Sequence, residues 1–519
     1  MVNRRGIVAA GHETTAQAAI EIFREGGNAF DAALAALFAS CVAEPVLSSL
    51  GGGGFLLAQS QQKTPLVYDF FAHTPKHKPK ESETELYPIL ADFGTAQQEF
   101  HIGMGSIATP GVIKGLFGVH RDLCRLPLKV IIGPACETAR HGVAINTFQH
   151  YISEIVSPII KSSPAALRIH QSKKNGGGIA QQGEIVTHPE MADAFESLAS
   201  EGEALFYLGE MGQKLVHTCR EQGGCLSTAD LSNYQLVRRT PLRLNYHGAQ
   251  LATNPAPSVG GTLIAFTLAL LEQENLGSFP ANSSDHLQRI ARAMQLTQRL
   301  RHERGIDRDL NEATSREILE NEHLERYHQI MREHGQFSRG TTQISTADGE
   351  GNFASMTLSN GEGSGFVIPD TGIMMNNMLG EEDINPCGFH LWPVDRRIAS
   401  MMSPSLVTDI SGRTVAVGSG GSNRIRSAIL QVLINLLDFD LPINEAVEQP
   451  RLHYESDLLN IEAGLDMDVI EQLITTYPEH RLWPDKNLFF GGAHCVMRSS
   501  NGSLSGKGDS RRGGICLQI

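Results

Sequence analysis

The 519-residue chain is most easily bounded by what it lacks. It has no C-x-x-C pair; its eight cysteines are scattered, and the closest two, Cys219 and Cys225, have five residues between them. That spacing excludes a zinc ribbon or a dithiol redox motif and leaves reduced, mostly buried thiols. No H-E-x-x-H occurs. GGGGF at 51–55 and GEGSG at 361–365 lack both the G-K-[ST] ending and the G-x-G-x-x-G spacing of phosphate loops. GSGGS at 418–422 approaches a nucleophile elbow but is not G-x-S-x-G. Positive charge is in deficit, with 43 Lys and Arg against 57 Asp and Glu, net −14. A nucleic-acid partner is therefore not expected, since phosphate contacts need a basic field. The most apolar early run, 32–43, is too short to span a bilayer, and the first seventeen residues lack an apolar core with a small-residue cleavage site. A soluble, cytoplasmic protein without a membrane partner is expected. There is no internal repeat.

What is present suits a large globular core. Hydrophobic residues are 41% of the chain, and the 52 glycines point to many tight turns and close backbone approaches. Residues 14–43 read as two helices broken at EGGNAFD, with Gly or Asn as cap and Asp31 in the next first turn. A strand over 55–59 pairs with LVYDFF; the glycines at 51–54 let the backbone pack closely or approach a ligand. An apolar helix is expected over 260–272, a charged helix-rich segment over 289–339, a strong helix over 425–437, and late strands over 489–498 and 515–519. Residues 76–85 and 173–178 read as polar loops. From Thr341 the period becomes two: TQISTA, a turn DGEGN, then FASMTLS, a hairpin signal. Helices flanking antiparallel hairpins suggest layered α and β elements.

The seam before that hairpin carries the chemistry. A hydroxyl nucleophile needs a base, and a threonine inside a chain usually has none. A threonine that begins a chain has its own α-amino group, which titrates near pKa ~7.7–8.0. To reach that state the chain must cut itself, the hydroxyl attacking the preceding carbonyl. Gly340 opposes the strained approach least, so Gly340–Thr341 meets the need. If the turn centres near Glu350, Thr341 lies opposite Ser359, and a second hydroxyl stands beside the first. His73, His77, His188, His390 and His494 read as surface or core residues rather than ligands.

Eleven ordered stretches together resemble one family: GGNAFDAALAA, SSLGGGGF after Glu44-Pro45, ATPGVIKGL, DLSNYQLVRRTPL, NPAPSVGG, TTQIS, GIMMNNMLGEED, MMSPSLV, GSGGSNRIRSAILQVLIN, FGGAHCVMR and GKGDSRRGG. They run from Ala16 to the C-terminus and resemble the γ-glutamyltranspeptidase (glutathione hydrolase) family of N-terminal nucleophile hydrolases. The resemblance implies a four-layer αββα sandwich of antiparallel sheets flanked by helices. It implies a precursor that cuts itself into a large segment, 1–340, and a small one, 341–519, which stay together as one unit. It places Thr341 as the catalytic terminal threonine, Ser359 as a supporting hydroxyl, and Gly420 and Gly421 as the pair whose N–H groups form an oxyanion hole, a role worth several kcal/mol in acyl transfer. No cofactor or metal is implied.

The departures fall on substrate recognition. The family's carboxylate-binding Arg is Phe71 here, within Asp69-Phe70-Phe71-Ala72. The serine pair that shares that role is Ser400-Met401. The glutamine and aspartate that hold the substrate amine are Met378 and Glu381. The family asparagine is Asn360, and Gln343 stands for a usual histidine. The segment from 381 to 400 is shorter than the family's lid-bearing loop, which suggests a more open site. Phe cannot replace a guanidinium fork; Arg396, Arg397 and Arg424 are the candidate substitutes, and Glu381 remains able to bind an amine. The expectation is an amidohydrolase or acyltransferase for a small-molecule amide, γ-glutamyl or a related acyl, with water or an amine as acceptor. A non-glutamyl acylase of β-lactam side-chain or oxamate type is an alternative, and an unprocessed metabolite-binding relative a second. Assembly into homo-oligomers is left open.

Overall fold

The computed structural model describes residues 5–61, 63–92, 97–172, 176–330, 341–385 and 388–519. Gly340 thus lies outside the described residues. Two antiparallel sheets are built from β1 (Gly6–Ala10), β2 (Gly53–Gln59), β3 (Leu66–Phe70), β4 (Val237–Arg239), β5 (Leu242–Tyr246), β6 (Ala249–Thr253), β7 (Thr342–Asp348), β8 (Phe353–Ser359), β9 (Ser405–Thr408), β10 (Thr414–Gly420), β11 (Gly492–Arg498), β12 (Leu504–Lys507) and β13 (Ile515–Gln518). The first sheet runs β13-β1-β7-β8-β2-β3-β4 and the second β12-β11-β10-β9-β6-β5.

The helices that cover them are α1 (Glu13–Arg24), α2 (Ala29–Ala43), α3 (Val112–Leu123), α4 (Gly133–His141), α5 (Pro189–Glu201), α6 (Val259–Leu271), α7 (Ser284–Glu303) and α8 (Arg424–Leu437). α1 to α3 pack on the outer face of the first sheet, with Val8, Ala10, Leu56, Ala58 and Tyr68 turned toward them, while α4 packs on α2 and α5 on α4. Ile7, Ala9, Phe55, Leu57 and Val67 point the other way, into the core shared with the second sheet, α6, α7 and α8. This is the period-two alternation of half-buried strands, read twice over, and it yields the expected αββα order. α2 and α6 are buried on every side, as their apolar composition requires.

Local signals explain the boundaries. α2 starts where Asn28 accepts from the N–H groups of Phe30 and Asp31, while Asp31 accepts from Asn28 N–H, a full capping box. The hairpin β7–β8 pairs Thr342 with Leu358 and Ala347 with Phe353 around Asp348, whose Oδ1 accepts from Glu350 and Asn352 N–H. Extending that register by one residue sets 341 opposite 359, as the hairpin midpoint predicts. The glycine run packs against backbone, not a ligand: a methyl on Gly52 would lie 2.4 Å from the Ser359 carbonyl oxygen. The late strand is shorter than expected, because Leu488–Phe490 forms a 3₁₀ turn before β11. Among the described residues, no helix is long and apolar enough to cross a membrane.

Candidate active site

Thr341 stands immediately before β7, at the centre of the first sheet. Alternation divides its neighbours between two environments. Gln343 and Ser345 face the second sheet: the Ser345 hydroxyl donates to the His494 carbonyl at 2.9 Å, and Ser355 on β8 donates to Val417 at 2.9 Å. Gln343 is wholly buried, accepting from Thr357 Oγ1 at 2.6 Å and donating to Ser345 and Ser355 at 3.0 Å. It fills space that only a glycine leaves, since a methyl on Gly418 would lie 2.1 Å from its Oε1. Thr342 and Thr346 face the other way, toward α2.

Around Thr341 a narrow cleft of about 30 Å³ is lined by Phe71, Ser359, Gly361, Met378, Glu381, Ile384, Ser400, Met401, Met402, Ser422 and Ile425. The strand ends and loops thus bring together Thr341, Ser359, Phe71, Met378, Glu381, Ser400 and Met401, seven positions singled out in the sequence. Asn360 is not among the walls; its amide is buried, with Nδ2 3.4 Å from the Met375 carbonyl and Oδ1 unpartnered among the described residues. Gly420 ends β10 directly against Thr341: a methyl there would lie 1.6 Å from the Thr341 carbonyl oxygen. Gly421 follows at φ +122°, a backbone that side chains rarely adopt. Ser359 Oγ accepts from Gly361 N–H at 3.0 Å, and Ser400 Oγ from Met402 N–H at 3.1 Å. Phe71 is buried and stacked on Phe55 at 5.4 Å.

Two of the candidate replacement arginines are occupied. Arg397 reaches the Asp69 carboxylate, the Phe71 carbonyl and Tyr234. Arg424 donates to the Phe489 carbonyl at 2.7 Å and lies over that ring.

Two further groups touch the backbone of Thr341 and its neighbour Thr342, and neither follows from spacing. Arg512 donates from Nη1 to the Thr341 carbonyl at 3.1 Å. Burial lowers its guanidinium to about 10, so it stays charged at neutral pH, and Glu362 and Asp509 favour that charge. It is held by the turn that carries Asp509. Burial alone would raise the Asp509 carboxyl, but Arg451 and Arg511, with the N–H groups of Arg511 and Ala493, hold it below the usual carboxylate range. His494 is neutral, burial lowering it to about 4, and accepts from Asp509 N–H at 3.1 Å.

Glu44 is the second. Its carboxyl is buried at the end of α2, accepting from Thr15 Oγ1 at 2.8 Å and Thr342 Oγ1 at 3.1 Å, and among the described residues no cation pairs with it. Burial raises it to about 7, while the two hydroxyls pull the other way. A folded value above the unfolded one means this group's stabilisation is full below the unfolded value and is lost as pH rises through 7. Glu44→Gln removes that dependence. Relative to the wild type, the variant should gain on the order of 2–3 kcal/mol between pH 5 and pH 9. Denaturant titrations at both pH values read it; a constant difference would show that Glu44 does not titrate in this window.

The comparison with known sequences decides the family. The γ-glutamyltranspeptidase profile matches residues 15–519. The chain belongs to the γ-glutamyltranspeptidase family. It is 26% identical to a glutathione hydrolase proenzyme of Escherichia coli K12, over 98% of this chain and 90% of that relative. It is 27% identical to the acylase ACY 1 proenzyme of Pseudomonas sp. strain V22, over 99% and 94%. Among solved structures, a cephalosporin acylase from Bacillus halodurans superposes with TM-score 0.82 at 22% identity, covering all of this chain and 96% of that one, a likeness of fold. In this γ-glutamyltranspeptidase-family chain, segments 5–330 and 341–519 contribute strands to both large sheets, so neither half forms either of them alone.

Proposed function

We infer that the protein is a self-processing amidohydrolase with Thr341 as nucleophile. In the precursor the Thr341 hydroxyl attacks the Gly340 carbonyl, and the peptide becomes an ester that water hydrolyses, freeing the Thr341 amine. In the mature enzyme that amine takes the hydroxyl proton as Oγ attacks a substrate amide. The proton passes to the leaving amine, and the acyl group stays on Oγ until water or an amine removes it. The N–H groups of Gly420 and Gly421 are assigned to the oxyanion, and Ser359 to holding the nucleophile. The observation that carries this reading is the meeting of a hairpin-leading threonine and a second hydroxyl in one cleft, with Gly420 packed against the carbonyl of that threonine.

Within that reaction the cleft favours an acyl group less polar than γ-glutamyl. Phe71, Met378 and Met401 form its walls, and no Arg, Lys or His is among its described lining residues. An α-carboxylate would lose its water there without a cation in return. This supports the acylase reading, with glutathione-type hydrolysis as the other outcome. An anilide of a short apolar acid should be cleaved with kcat/KM about tenfold or more above that of γ-glutamyl anilide, roughly the 1.4 kcal/mol of one poorly matched polar group. Product masses from a panel of amides read it; a preference for the γ-glutamyl compound would overturn the apolar-acyl reading.

A further inference from the structure

A cleft of about 30 Å³ holds the reacting atoms and little else, so the remainder of any substrate lies outside it. Next to it is a cavity of about 300 Å³, the scale of a small-molecule site. Ile384 lines both. Asn385, on the cavity side, donates to the carbonyls of Met378 at 2.8 Å and Glu381 at 2.7 Å, two walls of the cleft. Ala399 of the cavity directly precedes Ser400 of the cleft.

The wall between them is fixed rather than loose. The chain after Phe71 is zipped to 393–398: Thr74 N–H donates to Arg396 at 2.8 Å, Thr74 Oγ1 to Pro393 at 2.7 Å, and Ile398 N–H to Ala72 at 3.1 Å. Pro257, Leu310, Ile384, Trp392, Pro393 and Ile398 make the cavity apolar.

Its charges are uneven. Asp307 is bound by Arg301 at 2.8 Å, and Arg397 is committed to Asp69 and Tyr234. Arg308 and Arg396 also line the cavity, and among the described residues neither guanidinium has an ion pair or a hydrogen bond. Asp395, beside Arg396 in sequence, has His73 Nε2 at 3.3 Å, a ring that burial and Arg397 push below its ordinary value.

We propose that this cavity is a second subsite, taking an apolar group that ends in a carboxylate, with Arg308 and Arg396 as its anion-binding residues. It rests on Thr341 being the nucleophile only in calling the occupant the remote end of the substrate; the site itself stands on the cavity. It differs from the family's carboxylate anchor, whose position is the buried, stacked Phe71.

Calorimetric titration of the purified protein with phenylbutyrate and with its neutral isostere phenylbutyramide tests the site without catalysis. The carboxylate should bind about five- to tenfold tighter, as expected for partly screened ion pairs, and the preference should shrink as salt rises. The Arg308→Gln/Arg396→Gln double variant should lose the preference, and Arg308→Lys/Arg396→Lys should keep most of it. Equal binding of the two probes, or a preference unchanged in the Gln variant, would overturn the proposal. A carboxylate preference in protein that cleaves no amide would uphold the subsite and sink the nucleophile. Amide cleavage with no such preference would do the reverse.

Discussion

The Thr341→Ala protein is expected to run on a denaturing gel as one 519-residue chain and to cleave no amide, whereas the wild type should separate into segments of 340 and 179 residues. The cleft contains other hydroxyls, but their settings do not make them substitutes. Ser359 Oγ accepts from Gly361 N–H, Ser400 Oγ from Met402 N–H, and no histidine lines the cleft among the described residues. His494, on β11 beside β10, is buried and neutral, and its Nδ1 is occupied by Asp509 N–H. Only a residue that becomes a terminus brings its own amine. Removing the hydroxyl should therefore cost about 10³-fold or more in turnover. Thr341→Ser keeps both oxygen and amine and should still process, more slowly. The side chain removed carries little of the core, so the melting temperature should move by only about one degree, the effect of about 1 kcal/mol on a chain of this length. N-terminal sequencing of the small segment supplies the decisive reading: an alanine variant that still splits before residue 341, or a wild type that splits elsewhere, would remove Thr341 from the role.

How much of the fold and the cleft is legible in the sequence varies with distance along the chain. The hairpin β7–β8 is readable because strand period and turn residues act locally: DGEGN places the bend, and pairing then fixes 341 against 359. The helix break at Asn28 is readable for the same reason. Phe71, Met378, Glu381, Ser400 and Met401 come from segments far apart; resemblance, not periodicity, gathers them. Arg512 and Glu44 lie 171 and 298 residues from the threonines they touch, and no spacing rule spans such gaps. The cavity beside the cleft is less visible still. Its walls come from 74, 257, 307–310 and 384–399, and only packing makes them neighbours.

Gly420→Ala should keep the sheet and lose the reaction. Gly420 pairs with Gly492 at the end of β10, and its φ lies outside the left-handed region, so alanine meets no backbone penalty there. Gly421, at φ +122°, would add strain to any steric effect and is the poorer test. The cost at Gly420 is local: the new methyl would sit 1.6 Å from the Thr341 carbonyl oxygen and 3.2 Å from Arg512 Nη1. Backbone must yield, and the backbone that yields carries Thr341, the proposed nucleophile. A displacement on the order of 1 Å at a reacting atom costs about 10²-fold, and moving an assigned oxyanion donor costs as much again. The variant should therefore remain largely unprocessed, and any processed fraction should show kcat/KM reduced by at least about 10²-fold. Its melting temperature should fall by several degrees without loss of cooperativity, because one contact is crowded and the ladder to Gly492 is kept. Processing and turnover at wild-type rates would mean that Thr341 does not stand against Gly420, and that the cleft is not assembled around these two residues.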